Sequence, residues 1–493
     1  MYDVAIIGGG INGCGCAADA ALRGLSVFLC EQDDLASHTS SSSTKLIHGG
    51  LRYLEHYDFS MVKKAINERQ LLLKSAPHLV HPLPLFLPYQ KNMRPAWLIR
   101  LGLFLYDHLS RNNTLPKSQL LRRQKNLYFS PLQSAYNKGF LFYDCTTDDA
   151  RLTITNAILA RQNGATIRTR TRLIKAEVQD GHWLLTLANS EQNIFTIQAK
   201  AVVNATGPWA EGVNHLLNVT SNQQLSLIKG SHIVVQKLYD GEHAYFLQHG
   251  DKRLVFVIPY FNYTMIGTTD VPYSGDKSSV HIEPAEVDYL LNIVNSYFSK
   301  QLQAHDIIDS WSGLRPLLAA HGKSPQSLSR DFSWHLFKSP APAVAIFGGK
   351  ITTYRKLSKI IIDTLRPFFP KMSDSQSEYV TLPGGDWNGK TFSDYEKIAQ
   401  EKYNWLNKIL LQRYLNQYGT RTENIIKDAQ KTADLGEHFG QTLYQAEIDY
   451  LLREEWAETA EDILMRRTKL GLNATDSTKS ALETYLKSCK ELK

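Results

Sequence analysis

Tyr2-Asp3-Val4-Ala5-Ile6-Ile7 is an apolar run that predicts a buried β-strand, and it breaks at Gly8-Gly9-Gly10. Cys14 to Arg23 is built of small residues and closes at Gly24, which predicts a closely packed helix. Ser26 to Cys30 is apolar again and ends on Glu31. Strand, turn, helix and strand in that order make a βαβ unit, so a parallel sheet with helical crossovers follows. Leu184 to Leu187 and Phe195 to Ile197 alternate like antiparallel strands, whereas Ala201 to Ala205 reads as a fully buried strand. Short apolar runs from Leu225 to Thr269, such as Ile233 to Val235 and Leu254 to Ile258, predict a second, mixed sheet. After Leu382-Pro383-Gly384-Gly385 the period changes. Trp405, Leu406, Ile409 and Leu410, then Ile448, Leu451, Leu452 and Trp456, recur at helical spacing amid charge, predicting a separate helical domain.

A chain of 493 residues is too long for one core and divides into two or three domains. Its five cysteines form no disulfide framework, which fits a reducing compartment. Cys14 and Cys16 lie two apart on the predicted helix, so their side chains diverge and small-residue packing is the better reading. No metal site is expected. No apolar run approaches the roughly 20 residues of a spanning helix, and the N-terminus lacks the pattern of a secretory signal. A net charge of +7 permits anionic substrates, acidic lipids or RNA and selects none of them.

The chemistry begins at the first turn. Gly8, Gly10 and Gly13 fit G-x-G-x-x-G between a strand and a helix. The first glycine allows the turn, the second admits a pyrophosphate to the backbone, and the third lets helix and strand pack closely. Ile11 and Asn12 then stand at a helix N-terminus, whose N–H groups and dipole favour phosphate. Glu31 is placed to accept hydrogen bonds from an adenosine ribose, and its charge disfavours NADP. A second glycine turn, Gly348-Gly349-Lys350-Ile351-Thr352-Thr353, precedes a predicted helix from Thr352 to Leu365 that could carry a dipole to a flavin ring. Ala205-Thr206-Gly207-Pro208 follows the third buried strand. Two glycine turns bracketing one large region suit a long dinucleotide held at both ends, which favours FAD over NAD. The hydroxyl-rich run with Ser41, Ser42, Ser43 and Lys45 is expected on the cofactor phosphates, and His48-Gly49-Gly50 close to the flavin.

Beyond these motifs the sequence resembles a known family. SSSTKLIHGGLRYLEHYDF, LIKGSHIVV, FVIPY with IGTTDV, SGLRPL and FGGKITTYRKL stand in order, and the C-terminal stretch resembles the same family's helical cap. Together they are similar to the FAD-dependent, aerobic glycerol-3-phosphate dehydrogenases over essentially the whole chain. The resemblance implies an α/β fold: a Rossmann-like FAD-binding domain (1–75, 145–225, 313–382) interrupted by a mixed-sheet substrate domain (76–144, 226–312), with a helical domain at 386–493. It implies oxidation of sn-glycerol 3-phosphate to dihydroxyacetone phosphate, with electrons passed through FAD to a membrane quinone. Arg52, Arg315 and Arg330 are the expected phosphate-binding guanidinium groups, and Tyr53 lines the pocket or the core. His232 is the first choice of base and Lys350 the second; Lys350 otherwise binds substrate as a cation.

Delivery to a quinone implies a monotopic protein on the cytoplasmic face of the inner membrane. Arg94 to Tyr106 carries a Trp, bulky apolar residues and basic neighbours (Lys91, Arg94, Arg100, then Lys117, Arg122, Arg123 and Lys125), and reads either as the membrane contact, with the cations over acidic lipids, or as a buried helix of the substrate domain. A homodimer stays open. Three rival readings are an oxidase that uses dioxygen, a related FAD-dependent amine oxidase, and an RNA-binding flavoprotein. No aromatic–basic stacking motif supports the last, so no nucleic-acid partner is expected.

Overall fold

A computed structural model describes residues 1–90, 93–110, 112–124, 126–248, 253–319 and 331–491. The predicted βαβ unit is present as β1 (Tyr2–Ile7), α1 (Ile11–Leu22) and β2 (Val27–Cys30). Strand β1 pairs in parallel with β2 on one side and with the strand Ile194–Asn204 on the other. Thr166–Arg168 extends the sheet beyond β2, and Ala343–Phe347 beyond Ile194–Asn204. α1 is buried almost all round, because it is wedged between the helices Asp149–Gln162 and Tyr354–Thr364. That position explains its Gly, Ala and Cys content: only small side chains let three helices approach so closely.

Two strands expected as separate are one. Ile194–Asn204 pairs antiparallel with His182–Asn189 over residues 194–199, then in parallel with β1 over 199–204. In the first half its exposure alternates, because one face is solvated; from Ala201 to Asn204 it is buried, because helices including α1 cover one face and the strands Thr171–Gln179 and His182–Asn189, with the helix Ala210–Leu216, cover the other.

The second sheet is mixed, as the pattern from Leu225 predicted. Among the described residues it has ten strands, with Leu225–Gln236 paired along its length to Ile307–Leu318. The helix Pro284–Tyr297 packs on it, contributing Leu290, Ile293 and Val294 to a core with Ile233, Tyr245 and Val257. The C-terminal region has its own core, built from helices that include Lys408–Tyr418, Gln445–Glu454 and Asp476–Glu491. A π-helical turn, Asp462–Arg467, follows Gln445–Glu454. Buried charge pairs join this region to the helix Asp149–Gln162 and to the loop after β2: Arg151 pairs with Glu455, and Arg466 and Arg467 with Asp34.

No helix among the described residues is long and apolar enough to cross a membrane. The segment around Arg94 to Tyr106 forms the helix Ala96–His108. Leu103 and Tyr106 face inward, while Trp97 (69 % exposed), Leu101, Phe104 (51 %) and Leu105 form an outward apolar stripe. Some of the cations expected over lipid are held by protein instead. Arg100 donates to Ser118, Lys117 to the Asp107 carbonyl, and Arg123 to the carbonyls of Gln133, Leu132 and Tyr136. Lys91 and Lys125 lie outside the described residues.

Candidate active site

A continuous cavity of about 1200 Å³ runs between the two sheets. Both glycine turns line it: Gly8, Gly10, Ile11 and Asn12 from the first, and Gly348, Gly349, Lys350 and Thr352 from the second. The turns touch each other, since Asn12 Nδ2 donates to the Gly348 carbonyl at 3.2 Å. A cavity of this size exceeds the usual small-ligand pocket and suits a dinucleotide plus a small substrate.

The first turn is built as the motif requires. Gly8 has φ +110°, and a Cβ on Gly13 would meet the Gly8 carbonyl oxygen at 1.9 Å. Gly13 itself does not line the cavity; it is the contact that seats α1 on β1. Glu31 lines the cavity and accepts from Gly9 N at 2.6 Å and Asp33 N at 2.9 Å. Burial lifts its carboxyl above the ordinary range, and those N–H groups oppose the lift. Asn12 Oδ1 is buried without a hydrogen-bond partner among the described residues. An unpaired buried acceptor, a helix N-terminus and a cavity-lining carboxylate on one wall fit FAD.

The hydroxyl run divides its work. Ser42 and Ser43 line the cavity; so does Ser40 of the same run, whose Oγ accepts from Ile11 N at 2.9 Å. Ser41 does not line it, and neither does Lys45. Lys45 was expected on the phosphates, but it is buried, with Nζ 2.8 Å from Asp149 and 2.9 Å from the Ser41 carbonyl. The wholly buried Asp149 carboxylate requires a cation, and Lys45 is the one in reach. Asp149 also takes Ser43 N and Oγ, so the pair holds the hydroxyl loop in place from behind.

His48 and Gly50 line the cavity, as does Gly207; Gly49 lies behind them. Gly49 N is bonded by Tyr106 Oη at 2.8 Å and Asp144 at 3.1 Å, and His48 N donates to Thr352 Oγ1 at 3.3 Å. At the second turn Gly348 and Gly349 have φ +76° and +108°. The expected helix begins as a 3₁₀ turn, Ile351–Thr353, before Tyr354–Thr364, and Thr353 caps the latter outside the cavity.

Among the substrate-directed residues, Lys350, Tyr53 and Arg315 converge on the cavity. Lys350 Nζ lies 4.1 Å from the Tyr53 ring centre and 3.3 Å from Met61 Sδ. No carboxylate of the described residues pairs with it. Arg315 projects from Ile307–Leu318 across Gly230, where a Cβ would meet its Nη2 at 2.2 Å. Its guanidinium is oriented by Asp270 at 2.6 Å, the Thr269 carbonyl at 3.1 Å and Thr268 Oγ1 at 2.8 Å. Thr268 and Asp270, both within the motif IGTTDV, therefore aim this arginine. Arg52 lies in the turn Leu51–His56 with its side chain outside the described residues, and Arg330 lies outside them altogether.

His232 is placed differently from the expectation of a base in the pocket. It is wholly buried, stacked on Trp311 at 5.4 Å, and its Nε2 sits 3.0 Å from Thr44 Oγ1. Burial, then the charges of Arg315 and Lys45, hold its pKa well below the usual histidine range. Thr44 lines the cavity and His232 does not, so the imidazole reaches the cavity only through that hydroxyl. Gly230 and His232 are two apart on the strand Leu225–Gln236 and share a face; Gly230 lines the cavity, whereas His232 lies beneath Gly267 and is covered by Thr44.

Residues 3–338 match the family model of FAD dependent oxidoreductases, and residues 375–492 match the C-terminal domain of alpha-glycerophosphate oxidase. A glycerol-3-phosphate dehydrogenase of Pseudomonas aeruginosa is 49 % identical over 99 % of this chain and 95 % of its own. The chain belongs to the FAD-dependent glycerol-3-phosphate dehydrogenase family. A D-erythritol 1-phosphate dehydrogenase of Brucella abortus is 43 % identical over 97 % of this chain and 96 % of its own. The glycerol-3-phosphate dehydrogenase of Bacillus halodurans, solved with FAD, superposes with a TM-score of 0.78 at 26 % identity, covering 99 % of this chain and 94 % of its own. As in this family generally, the cofactor is FAD, and the cavity walls described above belong to a FAD-dependent dehydrogenase.

Proposed function

We propose that the enzyme oxidises sn-glycerol 3-phosphate to dihydroxyacetone phosphate and delivers the electrons to a membrane quinone. The observation that carries the substrate reading is Lys350: a cation without a carboxylate partner among the described residues, set between the second glycine turn and Tyr53. A dianionic phosphate supplies the missing counter-charge. Arg315, its fork already oriented, adds directional hydrogen bonds. Arg52 and Arg330 remain the expected further cations. FAD, when bound, supplies the hydride acceptor. The C2 hydroxyl proton passes to His48, the one of the two singled-out histidines that lines the cavity, and His232 supports that wall through Thr44.

An anaerobic absorbance scan of the holoenzyme tests this reading. Addition of sn-glycerol 3-phosphate is expected to bleach the flavin band, and glycerol is not. Bleaching by D-erythritol 1-phosphate alone would move the substrate to a longer polyol phosphate, the reading that the Brucella abortus relative favours. A soluble quinone is expected to restore the band faster than air does; rapid peroxide formation with an inert quinone would make the enzyme an oxidase.

The membrane reading rests on the outward stripe of the helix Ala96–His108. Trp97, Leu101, Phe104 and Leu105 lie on one face, and a solvated stripe of that kind suits the boundary between lipid headgroups and acyl chains. The helix also packs on the turn Leu51–His56, which lines the cavity, so a lipid-soluble acceptor would arrive beside the flavin site. In flotation with vesicles containing anionic phospholipid, wild type is expected to rise with the lipid. The double variant Trp97→Glu, Phe104→Glu is expected to stay below while retaining substrate-dependent bleaching. Equal flotation of both would remove this helix from the membrane contact.

A further inference from the structure

Among the described residues, none of the C-terminal helical region lines the cavity, yet the region grips a loop that does. Asp34 lies three residues after Glu31, in the loop that continues into the lining residues Ala36, Ser37 and His38. Its carboxylate is buried and receives two consecutive arginines of the turn Asp462–Arg467. Arg466 Nε donates to Oδ2 at 2.6 Å, the oxygen that also accepts from Arg467 Nη1, and Arg467 Nη2 donates to Oδ1 at 2.8 Å. Arg467 is itself wholly buried and donates to the Glu455 carbonyl at 2.6 Å. The turn is π-helical, a rare geometry often found at functional sites.

A second connection runs to the same loop from the sheet side. Arg170 N donates to the Asp33 carbonyl at 2.8 Å, and Thr171 N to the Glu31 carbonyl at 2.7 Å. The Arg170 side chain reaches Asp462 at 2.5 Å. The far side of the loop is joined to the first glycine turn by Ala36 N on the Gly9 carbonyl and Gly9 N on Glu31. Residues 31–36 are therefore held between the phosphate-binding turn and the C-terminal domain.

We propose that the C-terminal domain is a cofactor clamp: its turn Asp462–Arg467 fixes, through Asp34, the loop that binds the adenosine end of FAD, and so sets how tightly FAD is held. The proposal rests on Glu31 as the ribose ligand and is independent of the substrate and electron acceptor. Asp34, Arg466 and Arg467 are positioning residues, acting through the loop without touching the cofactor. A buried carboxylate shared by two guanidinium groups holds the loop in one position; removing Arg467 takes away two of the three arginine hydrogen bonds on Asp34, and neutralising Asp34 leaves the buried Arg467 without the carboxylate it pairs with.

The experiment measures FAD binding directly, by the return of flavin fluorescence on dilution of the holoenzyme and by titration of apoprotein with FAD. Arg467→Met is expected to raise the dissociation constant on the order of 10-fold or more, with faster release. Asp34→Asn keeps the side-chain shape and breaks the clamp from the other side, so it is expected to show the same change even if Arg467→Met folds poorly. Arg161→Met is the comparison. It removes an ion pair with Glu454 that also joins the C-terminal domain to the helix Asp149–Gln162, at the end of that helix far from the hydroxyl loop. Its FAD affinity is expected to stay within about twofold of wild type. Unchanged affinity in Arg467→Met and Asp34→Asn would overturn the clamp, and so would an equal loss in Arg161→Met, which would indicate general loosening. Neither result bears on whether sn-glycerol 3-phosphate is the substrate, because the readout contains none.

Discussion

Arg315→Met is expected to lower kcat/KM for sn-glycerol 3-phosphate about 100-fold or more, roughly 2.7 kcal/mol at 1.36 kcal/mol per decade. The size follows from what the side chain offers. Charge-assisted hydrogen bonds to a phosphate contribute about 1.5–3 kcal/mol, and two from one planar fork exceed a single one. Removing the guanidinium also leaves Asp270, which lines the cavity, as an anion facing an anionic substrate. Arg315→Lys is expected to recover little, because one ammonium does not reproduce a fork fixed by Asp270, the Thr269 carbonyl and Thr268 Oγ1 together. FAD content, read from the flavin band, should stay at the wild-type level, which separates loss of substrate binding from loss of cofactor. A kcat/KM within threefold of wild type would show that Arg315 does not reach the substrate.

Gly13→Ala is expected to yield protein with little or no bound FAD. The new Cβ would sit 1.9 Å from the Gly8 carbonyl oxygen and 3.4 Å from Ala205 Cβ, both rigid parts of the sheet and turn. Neither neighbour is the end of a flexible side chain, so α1 must back away from β1, carrying its N-terminus from the pyrophosphate position. Overpacking of this kind costs about 1–3 kcal/mol, which corresponds to a roughly 5- to 150-fold weaker FAD complex if it falls on the bound state. Gly102→Ala is the matched control. Gly102 lies inside the helix Ala96–His108 with nothing within 4 Å of a Cβ, so the change should keep FAD and gain up to about 1 kcal/mol of stability. Flavin absorbance relative to protein, with melting temperature beside it, reads both variants; full FAD occupancy in Gly13→Ala would mean that the turn yields without cost.

The domain-clamp and substrate readings act on different parts of one cavity. At the adenosine end, affinity depends on a loop held from outside the cavity by Arg466 and Arg467. At the flavin end, Gly49 is held from behind by Tyr106 and Asp144, and Asp144 by Arg69. Tyr106 belongs to the same helix whose outer face carries Trp97 and Phe104, so the surface proposed to meet lipid and the loop carrying His48 share one rigid element.

By itself the sequence determined the local elements whose signals are short-range. The βαβ unit, the G-x-G-x-x-G turn, Glu31 and the second glycine turn were all legible, because each depends on residues within a few positions of one another. The helical tail was legible for the same reason, from its repeat. The two glycine turns already favoured FAD, and the family resemblance extended this to the substrate. What only the tertiary structure decided is how distant segments share groups. Lys45 reads as a phosphate cation until the buried Asp149, 104 residues away, claims it. His232 reads as a base until Trp311 and Thr44, from distant segments, pack over it and bury the ring. The Asp34 carboxylate and the Arg466-Arg467 pair lie more than 430 residues apart, and no local pattern relates them. Burial is the common cause: a charge withdrawn from water takes whichever partner the fold brings within reach, and a sequence does not state which segments meet.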